Sequence, residues 1–338
     1  MSIETNYTNY TINDIAAMAG VSKATISRVL NNSQKVNEKT RERVMEIIEQ
    51  TGFIPSATAR SLSNRDNRII CVLVPEIGNP YFGSAIERIT SIADSNNYIV
   101  QLYNTQKVAG NELRMLSLLA EQRPSGVIVT PTFDDAKPNE LKVFQNAVNE
   151  IHAPLVMMDS SVAMNDYDTI FIDNYQCAFN LIDSFVRRGH RKIGIITGDL
   201  NSKTAHDRYQ GYADALQKNN IEVDERFVFQ GDFTTATANR ITHQFIEDGR
   251  EPKAVFTTNN LTTIGFLQAL YEKGKVLGQD IDCVAFDSVS TFGSVKYSYL
   301  DRDPGDIGET AIRMLLERIQ QPDIAIRKYY VPVSIVMN

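Results

Sequence analysis

The chain has 338 residues, a formal net charge of −7, 43% hydrophobic and 22% charged residues. At roughly 100–200 residues per domain this predicts two or three globular domains, and no apolar run approaches the ~18–20 residues of a membrane helix. Three cysteines about a hundred residues apart (Cys71, Cys177, Cys283) exclude a disulfide framework and a CxxC zinc cluster, and residues 1–6 carry no basic-then-apolar leader, so the expected location is the cytoplasm, away from membranes.

Residues 11–52 read as three short helices. Thr11 caps the first, with Asp14 three residues on, an apolar stripe of Ile12, Ile15, Ala16 and Ala19, and Gly20 as the left-handed stop. Two residues later Ser22 caps a second helix, Lys23 to about Asn31, whose inward face is expected at Ala24, Ile26 (or Val29) and Leu30. Asn37 caps the third, which carries Val44, Ile47 and Ile48 and stops at Gly52. Residues 1–65 hold eight Lys/Arg against six acids, whereas the remainder holds 26 against 35. A basic head on an acidic body points to a polyanionic partner.

From Arg68 the period changes. Strands are expected near 69–75, 98–103, 126–130, 154–158, 170–172, 193–197, 226–230, 254–258, 282–286 and 330–336, with helical stretches such as 84–96, 111–122, 139–150, 175–188, 208–219 and 305–320 between them. This alternation predicts an α/β fold with doubly wound parallel sheets. Ten strands exceed one comfortable sheet, so two subdomains with a cleft between them are expected. Asp134-Asp135 and Asp166-Tyr167-Asp168 read as solvated turns.

The segment Thr11–Asn31 reads as a helix-turn-helix, in which a tight Gly-Val-Ser turn sets the second helix to enter a DNA major groove. Its free N–H groups and dipole favour phosphate, while Lys23, Ser27 and Arg28 face outward. Six stretches together carry a resemblance: Val21-Ser22-Lys23-Ala24-Thr25-Ile26-Ser27-Arg28-Val29-Leu30-Asn31, Val36-Asn37-Glu38-Lys39-Thr40-Arg41-Glu42-Arg43-Val44, Gly52-Phe53-Ile54-Pro55, Ala57-Thr58-Ala59-Arg60-Ser61-Leu62, Arg188-Gly189-His190-Arg191-Lys192-Ile193-Gly194 and Gly308-Glu309-Thr310-Ala311. With these the chain resembles the LacI/GalR family of bacterial transcription regulators over essentially its whole length.

The resemblance implies a helix-turn-helix head (1–55), a hinge helix and linker (56–66) and a periplasmic-binding-protein-like core (67–338). The core would divide into an N-subdomain of about 67–168 plus 297–328 and a C-subdomain of about 169–296 plus 329–338. It implies DNA contacts at Thr11, Ser22, Lys23, Ala24, Thr25, Ser27, Arg28 and Asn31, and at Ala59 and Leu62 of the hinge. Leu62 matches a residue that wedges into a base step. Arg28 suits a bidentate guanine contact, whereas Ala24 offers only a methyl group.

Effector contacts are implied at Tyr81, Phe82, Asp159, Thr204, Arg208, Phe233, Asn259 and Asp287, just after expected strands or at helix starts, where open α/β sheets bind ligands. Arg208 and Asp287 are expected to partner the ligand or each other, since buried charges persist only with partners. The chain departs from the family pattern at Ser160 (often Arg), Asn260 (usually Asp), Ser288 (usually Asn) and Asp303 (usually Gln). The implied partners are a near-palindromic double-stranded operator, a second copy of the chain and a sugar or sugar derivative as effector. A purine and a phosphoprotein coregulator are the alternatives, and Ser202 replaces a second arginine of the purine-responsive branch. A metabolite-binding protein without DNA function is the reading from another class. The 18 glycines include no G-x-G spacing, and GxxxxGK[ST], GxSxG and HExxH are absent. His152, His190, His206 and His243 are scattered, so no catalytic residue, cofactor or metal is expected.

Overall fold

The computed structural model describes residues 10–30, 33, 35–53, 67–132, 138–160, 166–289 and 295–338. The chain divides into two compact units, Met1–Asn67 and Arg68–Asn338. Asn31, the expected hinge helix with Ala59 and Leu62, and Asp134-Asp135 lie outside the described residues. Among the described residues no helix is long and apolar enough to cross a membrane.

The first unit holds α1 (Ile12–Ala19), α2 (Lys23–Leu30) and α3 (Glu38–Thr51). Thr11 and Asp14 form a reciprocal capping box, and Gly20 closes α1 at φ 64°. Ser22 Oγ accepts from Thr25 N at 3.2 Å to start α2, and Asn37 Oδ1 accepts from Thr40 N at 2.8 Å to start α3. Ile15, Ala16, Ala19, Ile26, Val29 and Val44 form the core. Ala24 is exposed, contrary to the inward face expected for it. At 100° per residue it lies 200° from Ile26, so burying both Ile26 and Val29 turns Ala24 outward.

The second unit is built on two six-stranded sheets. The first runs β11-β5-β4-β3-β1-β2 and is wholly parallel. Its strands are β1 (Ile69–Val74), β2 (Ile99–Asn104), β3 (Gly126–Val129), β4 (Leu155–Ser160), β5 (Asp168–Phe171) and β11 (Lys328–Tyr330). The second runs β12-β10-β9-β8-β6-β7 and is parallel except for the β10–β12 pair. Its strands are β6 (Ile193–Ile196), β7 (Val228–Phe229), β8 (Ala254–Thr257), β9 (Asp282–Ala285), β10 (Ser298–Asp301) and β12 (Ser334–Val336). The central strands are near-continuous Ile/Val/Leu runs because helices cover both faces. The covering helices are α4 (Pro80–Ser95), α5 (Ala109–Gln122), α6 (Pro138–Asn149), α7 (Asn174–Arg187), α8 (Lys203–Lys218), α9 (Thr235–Glu247), α10 (Asn260–Glu272) and α11 (Pro304–Gln320). Gly308 lets α11 approach α4, since a Cβ there would overlap the Ala85 carbonyl.

Three expectations need correction. The single strand expected at 330–336 is two, β11 and β12 in different sheets, parted at Pro332, which has no N–H for a ladder. β10 was not expected, because Ser-Tyr-Leu-Asp is short and half polar. The subdomain borders also move: β5 and β11 pair in the first sheet and β10 in the second, so the chain crosses at 172–174, 302–303 and 331–333. Hydrogen-bonded neighbours far along the chain settle those memberships.

Asp168, expected in a solvated turn, is buried in β5. Arg318 Nη2 and Arg327 Nη2 each donate to it at 2.8 Å, as does the Arg327 backbone N–H, tying α11 and β11 to the first sheet. Burial alone would raise this carboxyl, but the arginine hydrogen bonds outweigh it and hold it below the usual range.

Candidate functional site

A cleft of about 350 Å³ opens between the two sheets of the second unit. Its lining comes from just beyond or at the C-terminal ends of the parallel strands. Tyr81 and Phe82 follow β1, Thr130 follows β3, Asp159 lies near the end of β4, and Asn174 follows β5. On the other lobe Ser202, Thr204 and Arg208 follow β6, Phe233 follows β7, Asn259 follows β8, Asp287 follows β9 and Arg302 follows β10. All eight residues expected at the effector site line this one cleft.

Sequence reasoning missed Arg302, the most connected group in the cleft. It is buried, and its Nε donates to Asp287 Oδ1 at 2.8 Å. Its Nη1 donates to the Tyr81 hydroxyl at 3.3 Å and lies 3.5 Å from Asp159 Oδ1. Its guanidinium also stands 4.5 Å from the Tyr81 ring centre. Arg302 ends a strand and precedes the Asp303 cap of α11, the same strand-end signal as the other site residues, but its strand was not recognised. Asp287 therefore pairs with Arg302 and not with Arg208. Arg208 instead donates from Nε to Asn174 Oδ1 at 2.9 Å and from Nη1 to the Thr258 carbonyl, and its guanidinium lies 3.6 Å above the Phe286 ring centre.

The electrostatics follow from this pairing. Burial pushes Asp159 above its ordinary range, opposed by Arg302 and Arg208. Burial likewise raises the Tyr81 hydroxyl. Burial, helped by the charge of Arg302, lowers Arg208 to about 10. Burial also works against the charge of Arg302, but Asp287, Tyr81 and Asp159 outweigh it and hold it above its ordinary value. The Thr130 hydroxyl is buried in the wall without a hydrogen-bond partner among the described residues. Among those residues no three His, Cys, Asp or Glu side chains converge as metal ligands.

Two of the expected residues hold left-handed backbone, Asp159 at φ 52° and Phe233 at φ 64°. Such conformations cost about 1–3 kcal/mol and cluster where surroundings hold a side chain for use. Asn259 supplies part of that hold. It caps α10 through Thr262 N at 2.8 Å and donates Nδ2 to the Phe233 carbonyl at 3.2 Å. Gly198 leaves room for the side chain, because a Cβ there would overlap the Phe233 ring. Gly198→Ala should therefore cost about 1–3 kcal/mol of stability by overpacking. Chemical melts of Gly198→Ala and of Gly198→Ala with Phe233→Leu check this: the smaller side chain should restore most of the loss, and additive losses would refute the contact.

On the first unit Lys23, Ala24 and Arg28 are exposed on α2, with Ala24 and Arg28 one turn apart. Thr25 and Ser27 are half-buried beside them. The Ser22 and Thr25 hydroxyls bond each other at 2.9 Å, and Thr11 Oγ1 donates to Asp14 at 2.7 Å, so these groups also build the helix starts.

Residues 11–56 match the family described as bacterial regulatory proteins, lacI family, and residues 182–337 match the periplasmic binding protein-like domain. The HTH-type transcriptional repressor PurR of Mannheimia succiniciproducens is 31% identical over 316 residues, 93% of this chain and 93% of that protein. The chain belongs to the LacI family. The PurR repressor of Yersinia pestis is 32% identical over 313 residues, covering 91% of this chain and 90% of its own length. This LacI-family chain is thus a DNA-binding transcriptional repressor with a small-molecule effector. Its fold recurs in solved structures. The lac repressor dimer bound to operator and the anti-inducer ONPF matches at TM-score 0.79 and 24% identity, over 97% of this chain and 98% of that one. A LacI-family regulator from Silicibacter pomeroyi matches at TM-score 0.82 and 21% identity with the same coverage.

Proposed function

We propose that two copies of this LacI-family repressor bind a near-palindromic operator in the cytoplasm, without catalysis, and that the effector is an uncharged sugar or sugar derivative seated in the cleft. The charge balance of the lining carries this reading. Lys107, Arg208 and Arg302 face Asp159, Asp199, Asp232 and Asp287. Arg302 is committed to Asp287 and Asp159, and Lys107 lies 2.8 Å from Glu76. Carboxylates outnumber cations in the lining, so an added phosphate would meet net negative charge with only Arg208, held by neutral partners, to receive it, whereas sugar hydroxyls can both donate to carboxylates and accept from guanidinium and threonine groups. Phe233 offers an apolar face to the ring.

A second reading is an uncharged purine. It is favoured by Tyr81, Phe82, Thr204, Arg208, Phe233 and Asp287, which match the purine-responsive branch, and by the PurR relatives. Ser202 in place of a second arginine speaks against it.

A thermal-shift panel of neutral sugars, sugar phosphates, nucleobases and nucleosides tests both readings, with Asp287→Asn as control. A ligand at ~100 times its Kd stabilises by about 2.7 kcal/mol, a shift of several degrees. A neutral-sugar hit lost in Asp287→Asn is the expected outcome. A nucleobase hit selects the second reading, a hit confined to sugar phosphates overturns the charge argument, and silence across the panel points to a protein coregulator.

A further inference from the structure

We infer that Asn260 is a positioning residue that clasps the two lobes of the core across the cleft and sets how readily they open. Asn260 Nδ2 donates to Asn79 Oδ1 at 2.8 Å, and both side chains are buried although 181 residues apart. Asn79 belongs to the first lobe, where it caps α4 by accepting from Tyr81 N at 3.0 Å. Asn260 opens α10 on the second lobe, and its own Oδ1 accepts from Leu261 N at 2.8 Å.

These bonds fix both amide orientations. The Asn79 oxygen must face Tyr81 N, so the group opposite it has to be a donor. The Asn260 oxygen is held by Leu261 N, which turns its nitrogen toward Asn79. An ionised aspartate at 260, the usual family residue, has acceptors only. It would set oxygen against oxygen, or force Asn79 to turn over and release the α4 cap beside Tyr81 and Phe82. With Asn260 the lobe-to-lobe hydrogen bond and the α4 cap are kept together, which an ionised aspartate at this position would not allow. Arg302 lies on the same path, holding Asp287 of the second lobe and Tyr81 and Asp159 of the first. An effector acts only through its different affinity for the two lobe arrangements, so the strength of this clasp sets the bias it must overcome.

The test is pulsed EPR on the full chain, with Lys142→Cys on α6 and Gln217→Cys on α8 spin-labelled and diluted into unlabelled chain. Cys71, Cys177 and Cys283 are buried and leave the labels to the introduced thiols. Asn260→Ala and Asn260→Asp should move the closed-to-open ratio about tenfold toward open, seen as a longer, broader distance distribution. Asn79→Asp keeps an acceptor for both Tyr81 N and Asn260 and should keep the parent distribution. Each variant is first confirmed to unfold in one transition, and the two Asn260 variants stand in for each other should one fail. Superimposable distributions in a folded Asn260 variant overturn the clasp, as does opening in Asn79→Asp to the same extent. The outcome is independent of which effector the cleft binds.

Discussion

Arg302→Met should lower folding stability by about 3–5 kcal/mol at neutral pH, the usual loss when one partner of a buried ion pair is removed. Methionine fills a similar volume, so the loss comes from charge. Asp287 loses its 2.8 Å partner, and Asp159 loses the cation that chiefly opposes the effect of burial on it. The pH dependence has a definite sign. A carboxyl whose folded pKa lies above its unfolded value of about 3.9 favours folding below that value, and the contribution is lost as pH rises through the folded pKa. Removing Arg302 raises Asp159 further. The deficit of the variant should thus be greatest at neutral pH and shrink as the solution is acidified toward pH 4. Urea melts of both chains at several pH values measure this. A deficit under about 1 kcal/mol, or one that does not change with pH, would mean that water already screens the site and that it is not the dry charge network described.

How much of this was legible in the sequence depends on how far each contact reaches. The head was legible because its signals are local: Thr11 with Asp14, Gly20, Ser22, Asn37 and Gly52 each act within three or four residues. Only Ala24 went astray, where two inward faces for α2 fitted the spacing and three-helix packing chose between them. The cleft was legible through strand ends, since every expected effector residue follows or ends a strand. Arg302 escaped because β10 is recognised only beside β9 and β12. Asp168 escaped for the same kind of reason. Its acidic neighbourhood reads as a turn until Arg318 and Arg327, 150 and 159 residues away, are brought to it. Charges that pair across such distances look like surface when read in order, and a buried site made of them is visible only in three dimensions.

Arg28→Ala should remove most operator recognition while leaving the fold intact. Arg28 is exposed on α2, and surface changes of this kind typically alter stability by less than about 0.5 kcal/mol. A bidentate arginine–guanine contact is worth about 1–3 kcal/mol. A dimer loses it in both half-sites, which gives about 2–6 kcal/mol, or roughly 30-fold to 10⁴-fold in affinity. Lys23→Ala should behave differently. Its place allows a guanine or a phosphate contact, and on phosphate a lysine carries no sequence information, so its loss should then weaken operator and random duplex alike and flatten the salt dependence by about 0.9 per head. Fluorescence anisotropy on a duplex selected from a random library by the parent chain, and on a scrambled duplex, at several salt concentrations separates the two effects. If Arg28→Ala weakens both duplexes equally and lowers the salt slope, Arg28 is a phosphate contact and sequence is read elsewhere on α2. The exposed methyl of Ala24, one turn away, then becomes the nearest base-reading group, and Ala24→Ser should change which duplex the chain selects.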